Sequence, residues 1–206
     1  MLHIILFSGG LDSTTLAYHT LYTKCKKGDT LILHSFDTYE YISQAQHTDN
    51  IRDIIADICM RGAEEGVNVH YRRGTCSVRE YSEGVNAFVP YRNTLFVFNA
   101  LYTHYVREEV KIYLGAINNE VDGFSDCTPE FIDSLNKLIK VQGENAEVVA
   151  PFVHLTKYDV MLIANSFDVP VEKTWSCLSP SFTLTGFIPC KDCIKCKERE
   201  DLGIKI

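Results

Sequence analysis

Phe7-Ser8-Gly9-Gly10-Leu11-Asp12-Ser13-Thr14-Thr15 follows an apolar run, Ile4 to Phe7, and opens a helix-like pattern through Leu16, Ala17 and Leu21. Strand, Gly-Gly turn and hydroxyl-rich helix start, in that order, predict an anion site. The glycines let the backbone pass close to a ligand, and the free N–H groups of a helix N-terminus face a phosphate. Ser8, Ser13, Thr14 and Thr15 offer side-chain donors, and Asp12 can hold a metal ion or fix the loop. The stretch is neither Gly-x-Gly-x-x-Gly nor Gly-x-x-x-x-Gly-Lys-[Ser/Thr]. Without a ligand, the same residues would make an ordinary strand-to-helix turn with Ser as a cap.

Outward from this loop, strands alternate with helices. His3 to Phe7 is the first strand and Ser13 to about Cys25 the first helix. Thr30 to Phe36 is a second buried strand. Ile51, Ile54, Ile55 and Ile58 give a helix starting near Thr48 and ending between Gly62 and Gly66. Val67 to Tyr71 is a third strand, and Arg73 to Val89 has no period and reads as loop. Leu95, Phe96, Phe98, Leu101, Tyr102 and Tyr105 predict a helix behind Pro90. Lys111 to Gly115 is a fourth strand. Pro129 opens a helix through Phe131, Leu135, Leu138 and Ile139. Glu147 to Ala150 is a fifth strand, and Thr156 with Asp159 forms a capping box for a last helix through Met161, Leu162 and Ile163. This alternation predicts an α/β, mostly parallel, doubly wound sheet whose ligands sit at the carboxyl ends of the strands.

The chain has 206 residues, a formal charge of −7 and 46% apolar residues, which fits one domain with a buried core. No apolar run approaches the length of a membrane span. The N-terminus carries no signal-peptide pattern, so a cytoplasmic protein is expected. The acidic balance argues against a broad nucleic-acid surface.

Eight cysteines are present. Cys25, Cys59, Cys76 and Cys127 are scattered and read as plain thiols. Cys177, Cys190, Cys193 and Cys196 crowd the C-terminal end, and four thiolates suit a closed, structural, tetrahedral zinc site. An iron–sulfur cluster is the rival. The ferredoxin run asks for a Cys-Pro four residues after its third cysteine, and Glu200 stands there instead. Lys191, Lys195 and Lys197 either offset the charge of the thiolates or are a solvated face.

Two further stretches read as chemistry. Phe88-Val89-Pro90-Tyr91-Arg92-Asn93-Thr94 places a guanidinium and an amide at a helix start, suited to a phosphate or a purine-like ring. The loop Gly115 to Cys127 carries Glu120, Asp122 and Asp126 on the rim after a strand, where Mg²⁺ or the polar edge of a base could bind. A capping turn and a solvated acidic loop are the plain alternatives.

The Ser-Gly-Gly-x-Asp-Ser core of the first stretch resembles the PP-loop ATP pyrophosphatases, which cleave ATP between the α and β phosphates and adenylate a substrate oxygen. Taken with the 88–94 stretch, Asp126-Cys127, Thr174-Trp175-Ser176-Cys177 and the closing cysteines, the chain resembles the 7-cyano-7-deazaguanine synthase (QueC) family from Leu6 to Cys196. The resemblance implies an adenine nucleotide alpha hydrolase-like PP-loop domain over residues 1–172 and a C-terminal zinc-binding segment over 173–206. It also implies an ATP-dependent ligase acting on 7-carboxy-7-deazaguanine and ammonia, with ATP as cosubstrate alongside Mg²⁺, one structural Zn²⁺ per chain, and a homodimer. Phe7, Ser8, Gly9, Gly10, Leu11, Asp12, Ser13, Thr14, Thr15, Leu16 and Ala17 would wrap the ATP. Ser8, Asp12, Ser13 and Arg92 would be catalytic, with Arg92, Asn93, Glu120 and Asp126 contacting substrate or metal. The chain departs from the family at Asp37 to Tyr41, at Glu120 to Thr128, and in a shortened segment before Phe88. All three fall in loops expected to face the substrate. A deazapurine enzyme that stops at the amide, a tRNA sulfurtransferase and a non-catalytic zinc module are the competing readings.

Overall fold

The structure is a computed structural model and describes residues 1–37, 49–76, 90–117, 124–183 and 186–205. Five parallel strands form the sheet: β1 (Leu2–Leu6), β2 (Thr30–Asp37), β3 (Asn68–Thr75), β4 (Val110–Tyr113) and β5 (Ala146–Val149), in the order β3-β2-β1-β4-β5. Side chains alternate across the pleat, so neighbouring residues of one strand feed different cores. Ile5, Leu31, Leu33 and Tyr113 enter one apolar cluster, while Ile4, Leu6, Ile32, Ile112 and Leu114 enter the other. Helices α1 (Leu11–Thr23), α2 (Asp49–Glu65) and α5 (Lys157–Ser166) cover the first face. Helices α3 (Arg92–Thr103) and α4 (Pro129–Val141) cover the second. Both faces of the inner strands are therefore buried, as expected for runs this rich in Ile, Leu and Val, while no residue of the edge strand β3 is fully buried.

Several boundaries move. Helix α1 begins at Leu11 rather than Ser13, because Gly10 is the residue with extended geometry ahead of the first turn. Strand β3 runs on to Thr75, extended by parallel pairing of Arg72 to Thr75 with His34 to Asp37. That pairing is a tertiary effect, invisible to a periodicity in one segment. Helix α3 ends at Thr103, and Tyr102 and Tyr105 are 85% and 61% exposed, not part of its buried face. The capping box of α5 forms in both directions, with Thr156 Oγ1 accepting from Asp159 N and Asp159 accepting from Thr156 N. Thr48, the expected start of α2, lies outside the described residues.

After α5, residues 171–173 make one 3₁₀ turn. A two-stranded hairpin follows, β6 (Ser181–Thr183) paired antiparallel with β7 (Gly186–Ile188), and then α6 (Ile194–Asp201). No described helix is long and apolar enough to cross a membrane.

Candidate active site and metal centre

Strand order reverses between β1 and β4. In an open parallel sheet the two connections there leave in opposite directions and open a crevice at the carboxyl ends. A cavity of about 320 Å³ lies at that point. Its walls include Phe7, Ser8, Gly10, Asp12 and Ser13 from the first loop. Arg92 and Asn93 come from the start of α3, Leu114 to Ala116 follow β4, and Trp175 to Leu178 cross from the C-terminal segment.

Within the first loop the serines organise the backbone. Ser13 Oγ accepts from Ser8 N at 3.2 Å, lies 3.0 Å from Ser8 Oγ, and sits 3.3 Å from the Gly10 carbonyl. Gly9 has φ +75°, which glycine adopts without a steric penalty. Gly115 has no φ requirement but no space either. A Cβ there would lie 3.3 Å from Ser13 N and 3.4 Å from Asp12 C, so the β4 loop runs directly over the first turn of α1. The first turns of α1 and α3 both contribute to the cavity wall, and the positive end of a helix dipole favours an anion. Asp12 is held from outside by Lys157, at the first turn of α5.

Not all of the predicted loop faces the cavity. Thr14, Thr15, Leu16 and Ala17 are fully buried in α1, and Leu11 is buried too. They line no part of the cavity; Leu11, Leu16 and Ala17 pack into the first core, and the hydroxyls of Thr14 and Thr15 are buried with no hydrogen-bond partner among the described residues. Arg92 and Asn93 do reach the wall. Tyr91, ahead of them, is 78% exposed at φ +58°. Asn93 is buried, and its Nδ2 donates to the Asp126 carbonyl at 2.9 Å. Asp126 thus sits at the site through its backbone, not as a wall-lining carboxylate. Glu120 lies outside the described residues, as do Phe88 and Val89.

Sequence reasoning passed over several wall residues. Cys127 faces the cavity beside Asn93, and burial, followed by the Asp126 charge, pushes its thiol up to about 11. It is therefore a neutral thiol and a poor nucleophile at neutral pH. His34 is fully buried at the cavity edge, with Nδ1 2.6 Å from His104 Nε2 and its ring against Phe36. Burial and the neighbouring His104 lower its pKa to about 4, so it is a neutral imidazole. Phe36 stacks in turn on Phe96, giving the cavity an aromatic side wall. Phe36, Phe96 and His34 each looked like plain core in the sequence. Trp175, the sole tryptophan, was legible as a motif position only.

The metal-type cluster lies next to this cavity, since Cys177 belongs to both. The 12 residues between Cys177 and Cys190 are used by the β6–β7 hairpin, which returns the chain to its start. The Cys177 and Cys190 sulfurs lie 3.6 Å apart, those of Cys190 and Cys196 4.0 Å apart, and all four within 4.8 Å of one another. A tetrahedral ion with metal–sulfur bonds of about 2.3 Å needs sulfur separations of roughly 3.8 Å. A multi-iron cluster has to be fitted between its ligands and would hold them further apart. The sulfurs also accept from backbone, Cys190 N to Cys177 Sγ at 3.2 Å and Cys193 N to Cys190 Sγ at 3.3 Å. The N–H groups of Asp192 and then Cys193, donating to Cys190 Sγ, lower that thiol to about 6. Lys191 takes φ +61° to make the tight Cys190–Cys193 turn. Among the described residues this is the only group of three or more potential ligands so placed. Lys197 pairs with Asp192 at 3.0 Å and Lys195 approaches Glu198 at 3.5 Å.

The family model described as "Queuosine biosynthesis protein QueC" matches residues 2–203. The chain belongs to the QueC family. Curated relatives agree with it along nearly their whole length. A 7-cyano-7-deazaguanine synthase of Microcystis aeruginosa is 31% identical, over 98% of this chain and 90% of its own. One from Trichodesmium erythraeum is 28% identical, over 98% and 96%, and one from the archaeon Methanoculleus marisnigri is 29% identical, over 98% and 95%. The Trichodesmium alignment spans 226 positions against a chain of 206, so that QueC relative carries residues lacking here. Among solved structures, the U34-tRNA thiolase NcsA from Methanococcus maripaludis with its [4Fe-4S] cluster matches at a TM-score of 0.42 and 16% identity, covering 87% of this chain and 61% of that one. Nothing about this chain's chemistry follows from a likeness that distant.

Proposed function

We propose that this QueC-family chain is an ATP-dependent ligase that makes 7-cyano-7-deazaguanine from 7-carboxy-7-deazaguanine and ammonia. The observation that carries the proposal is the family match over residues 2–203, joined to relatives of that name aligned along nearly their full length. The cavity at the sheet's switch point, with two helix N-termini and an aromatic side wall, is consistent with an anionic nucleotide beside a flat heterocycle.

A carboxylate is a poor electrophile because its oxygen cannot leave. Attack of that oxygen on the α-phosphorus of ATP expels pyrophosphate and leaves an acyl adenylate. Ammonia then adds to the acyl carbon, AMP departs, and a proton is lost to give the amide. The amide oxygen repeats the attack on a second ATP, expelling pyrophosphate, and loss of AMP and of both protons on the nitrogen gives the nitrile. Both carboxylate oxygens leave on AMP.

The protein's task is positioning and charge stabilisation. Ser8 and Ser13, with the free N–H groups at the start of α1, would hold the phosphates. Arg92 would meet the α-phosphate or the substrate carboxylate, where its planar fork suits two oxygens. Among the described residues Asp12 is the carboxylate on the cavity wall, and it would share in Mg²⁺ binding. His34 and Cys127, both neutral, would contribute polar atoms without charge. We assign the cysteines to one Zn²⁺. Four thiolates close its coordination shell, so the ion serves the fold of residues 173–206 on a nucleotide-binding unit of residues 1–172 and takes no part at the reacting atoms.

The test is to incubate purified protein with ATP, Mg²⁺, ammonium and 7-carboxy-7-deazaguanine bearing ¹⁸O in the carboxylate. The expected products are the nitrile, AMP carrying ¹⁸O, and pyrophosphate. ADP and phosphate would overturn the adenylation chemistry, and an amide end product would change the reaction assigned. Metal analysis should return one zinc per colourless chain; a brown protein rich in iron would refute the zinc assignment.

A further inference from the structure

Helix α6 starts immediately after Cys193 and carries Cys196 in its first turn. Further along it, Glu198 and Arg199 each touch a group that in turn contacts the phosphate loop. Arg199 is 6% exposed, an unusual place for a guanidinium. It donates to Thr174 Oγ1 at 2.7 Å and to the Val171 carbonyl at 3.2 Å. Thr174 precedes Trp175, whose N–H donates to the Gly9 carbonyl at 3.0 Å. The Trp175 carbonyl lies 3.3 Å from where a Cβ on Gly10 would stand, so this strand of chain presses on both glycines. Glu198, for its part, lies 3.8 Å from the Lys157 ammonium that holds Asp12.

Neither bond of Arg199 goes to an anion, and a buried cation bonded only to neutral oxygens is costly. The groups that favour its charge are Cys196 first and Glu172 second. Four thiolates around one divalent cation keep two net negative charges. The loaded cluster is therefore a counter-charge for Arg199, as well as the brace for the helix that carries it. Lys197, paired with Asp192 at the surface, also feels the charge of Cys193 and Cys190, but Arg199 is the buried one.

We infer that Arg199, with Glu198 through Lys157, is a positioning residue that couples the metal centre to the nucleotide loop, so that metal and ATP each tighten the binding of the other. The inference rests on the nucleotide reading of the cavity given above. By linkage the coupling is reciprocal: a nucleotide that fixes Gly9 to Asp12 also fixes Trp175, Thr174 and Lys157, and through them α6.

The experiment uses the zinc-loaded wild-type chain and α,β-methylene-ATP, which cannot be cleaved between those phosphates. Calorimetry gives the analogue's Kd, and competition with a chromophoric chelator gives the apparent zinc Kd with and without analogue. A saturating analogue should lower the zinc Kd at least about fivefold, the small end of measured couplings. Arg199→Met, with zinc retained, should weaken analogue binding by at least about the same factor and abolish the analogue's effect on zinc. Arg199→Lys, which keeps the charge but not the fork, should restore part of both. If the analogue binds and the zinc Kd does not move, the coupling is wrong and the nucleotide reading stands. If the analogue does not bind at all, both fall. If the analogue lowers the zinc Kd equally in Arg199→Met, coupling does not run through Arg199. Should that variant fail to fold, the wild-type comparison alone decides.

Discussion

The Lys157 ammonium donates to the Asp12 carboxylate, joining the first turns of two helices 145 residues apart in sequence. Asp12 Oδ2 takes the lysine, and Oδ1 is buried with no described partner. An acceptor with lone pairs to spare, at the mouth of an anion site, is suited to a cation that arrives with its ligand.

Replacing Asp12 by Asn should therefore lower AMP release on the order of 100-fold, the scale seen when one preorganised electrostatic group is removed. Lys157→Met should cut activity as well, while lowering stability by only about 1 kcal/mol because the pair is partly solvated. Product assays paired with urea denaturation separate the two effects. Loss of folding in Asp12→Asn would make that residue structural instead.

Gly115→Ala probes the crossing of the β4 loop over α1. The added methyl meets backbone atoms of Asp12 and Ser13, which cannot rotate away. We expect a loss of about 1–3 kcal/mol and a higher KM for ATP, measured by denaturation and by steady-state kinetics. An unchanged KM would mean that the start of α1 does not hold the nucleotide.

Asn93 ties α3 to the Asp126-Cys127 turn. Asn93→Asp replaces a donor by an anion opposite a carbonyl, and should cost about 1–3 kcal/mol. If that turn faces the deazapurine, the KM for the carboxylate substrate should rise more than the KM for ATP. Equal effects on both would detach the turn from substrate binding.

His34 gives the protein an acid-sensitive element. Its folded pKa, about 4, lies below the ordinary value of 6.5, so between those values the unfolded chain binds more protons. The stability it contributes is complete above pH 6.5 and is lost as pH falls toward 4. Between pH 7.5 and pH 5 this amounts to about 2 kcal/mol. Urea titrations of His34→Leu should show a pH dependence flatter by that amount, whereas an identical slope would place the proton elsewhere.

Much of the architecture was legible because it rests on local pattern. The Ile- and Leu-rich runs at 4–7 and 30–36, the isoleucines of α2, Pro129 at a helix start and the Thr156–Asp159 box each satisfy a rule within a few residues. Cys190, Cys193 and Cys196 were legible for a similar reason, as close spacing keeps ligands close in space, whereas the β6–β7 hairpin brings Cys177 to them. Boundaries slipped where pairing across the sheet overrode the local signal, as at Arg72 to Thr75.

The site divides the same way. Sequence alone pointed to the Ser8–Ser13 loop, the cysteine cluster and the pair Arg92 and Asn93, and the fold brings the first and last of these to one cavity, since helix starts and tight turns are specified by their own residues. It could not separate Ser8, Asp12 and Ser13, which face the cavity, from Thr14 and Thr15, which face the core, because a helix turns side chains about its axis in a direction that only packing reveals. Nor could it bring Lys157 to Asp12, Trp175 to Gly9 or Arg199 to Thr174. Those contacts depend on the order of strands in the sheet and on the return of the C-terminal segment across it, and a contact between distant residues leaves no period in either stretch.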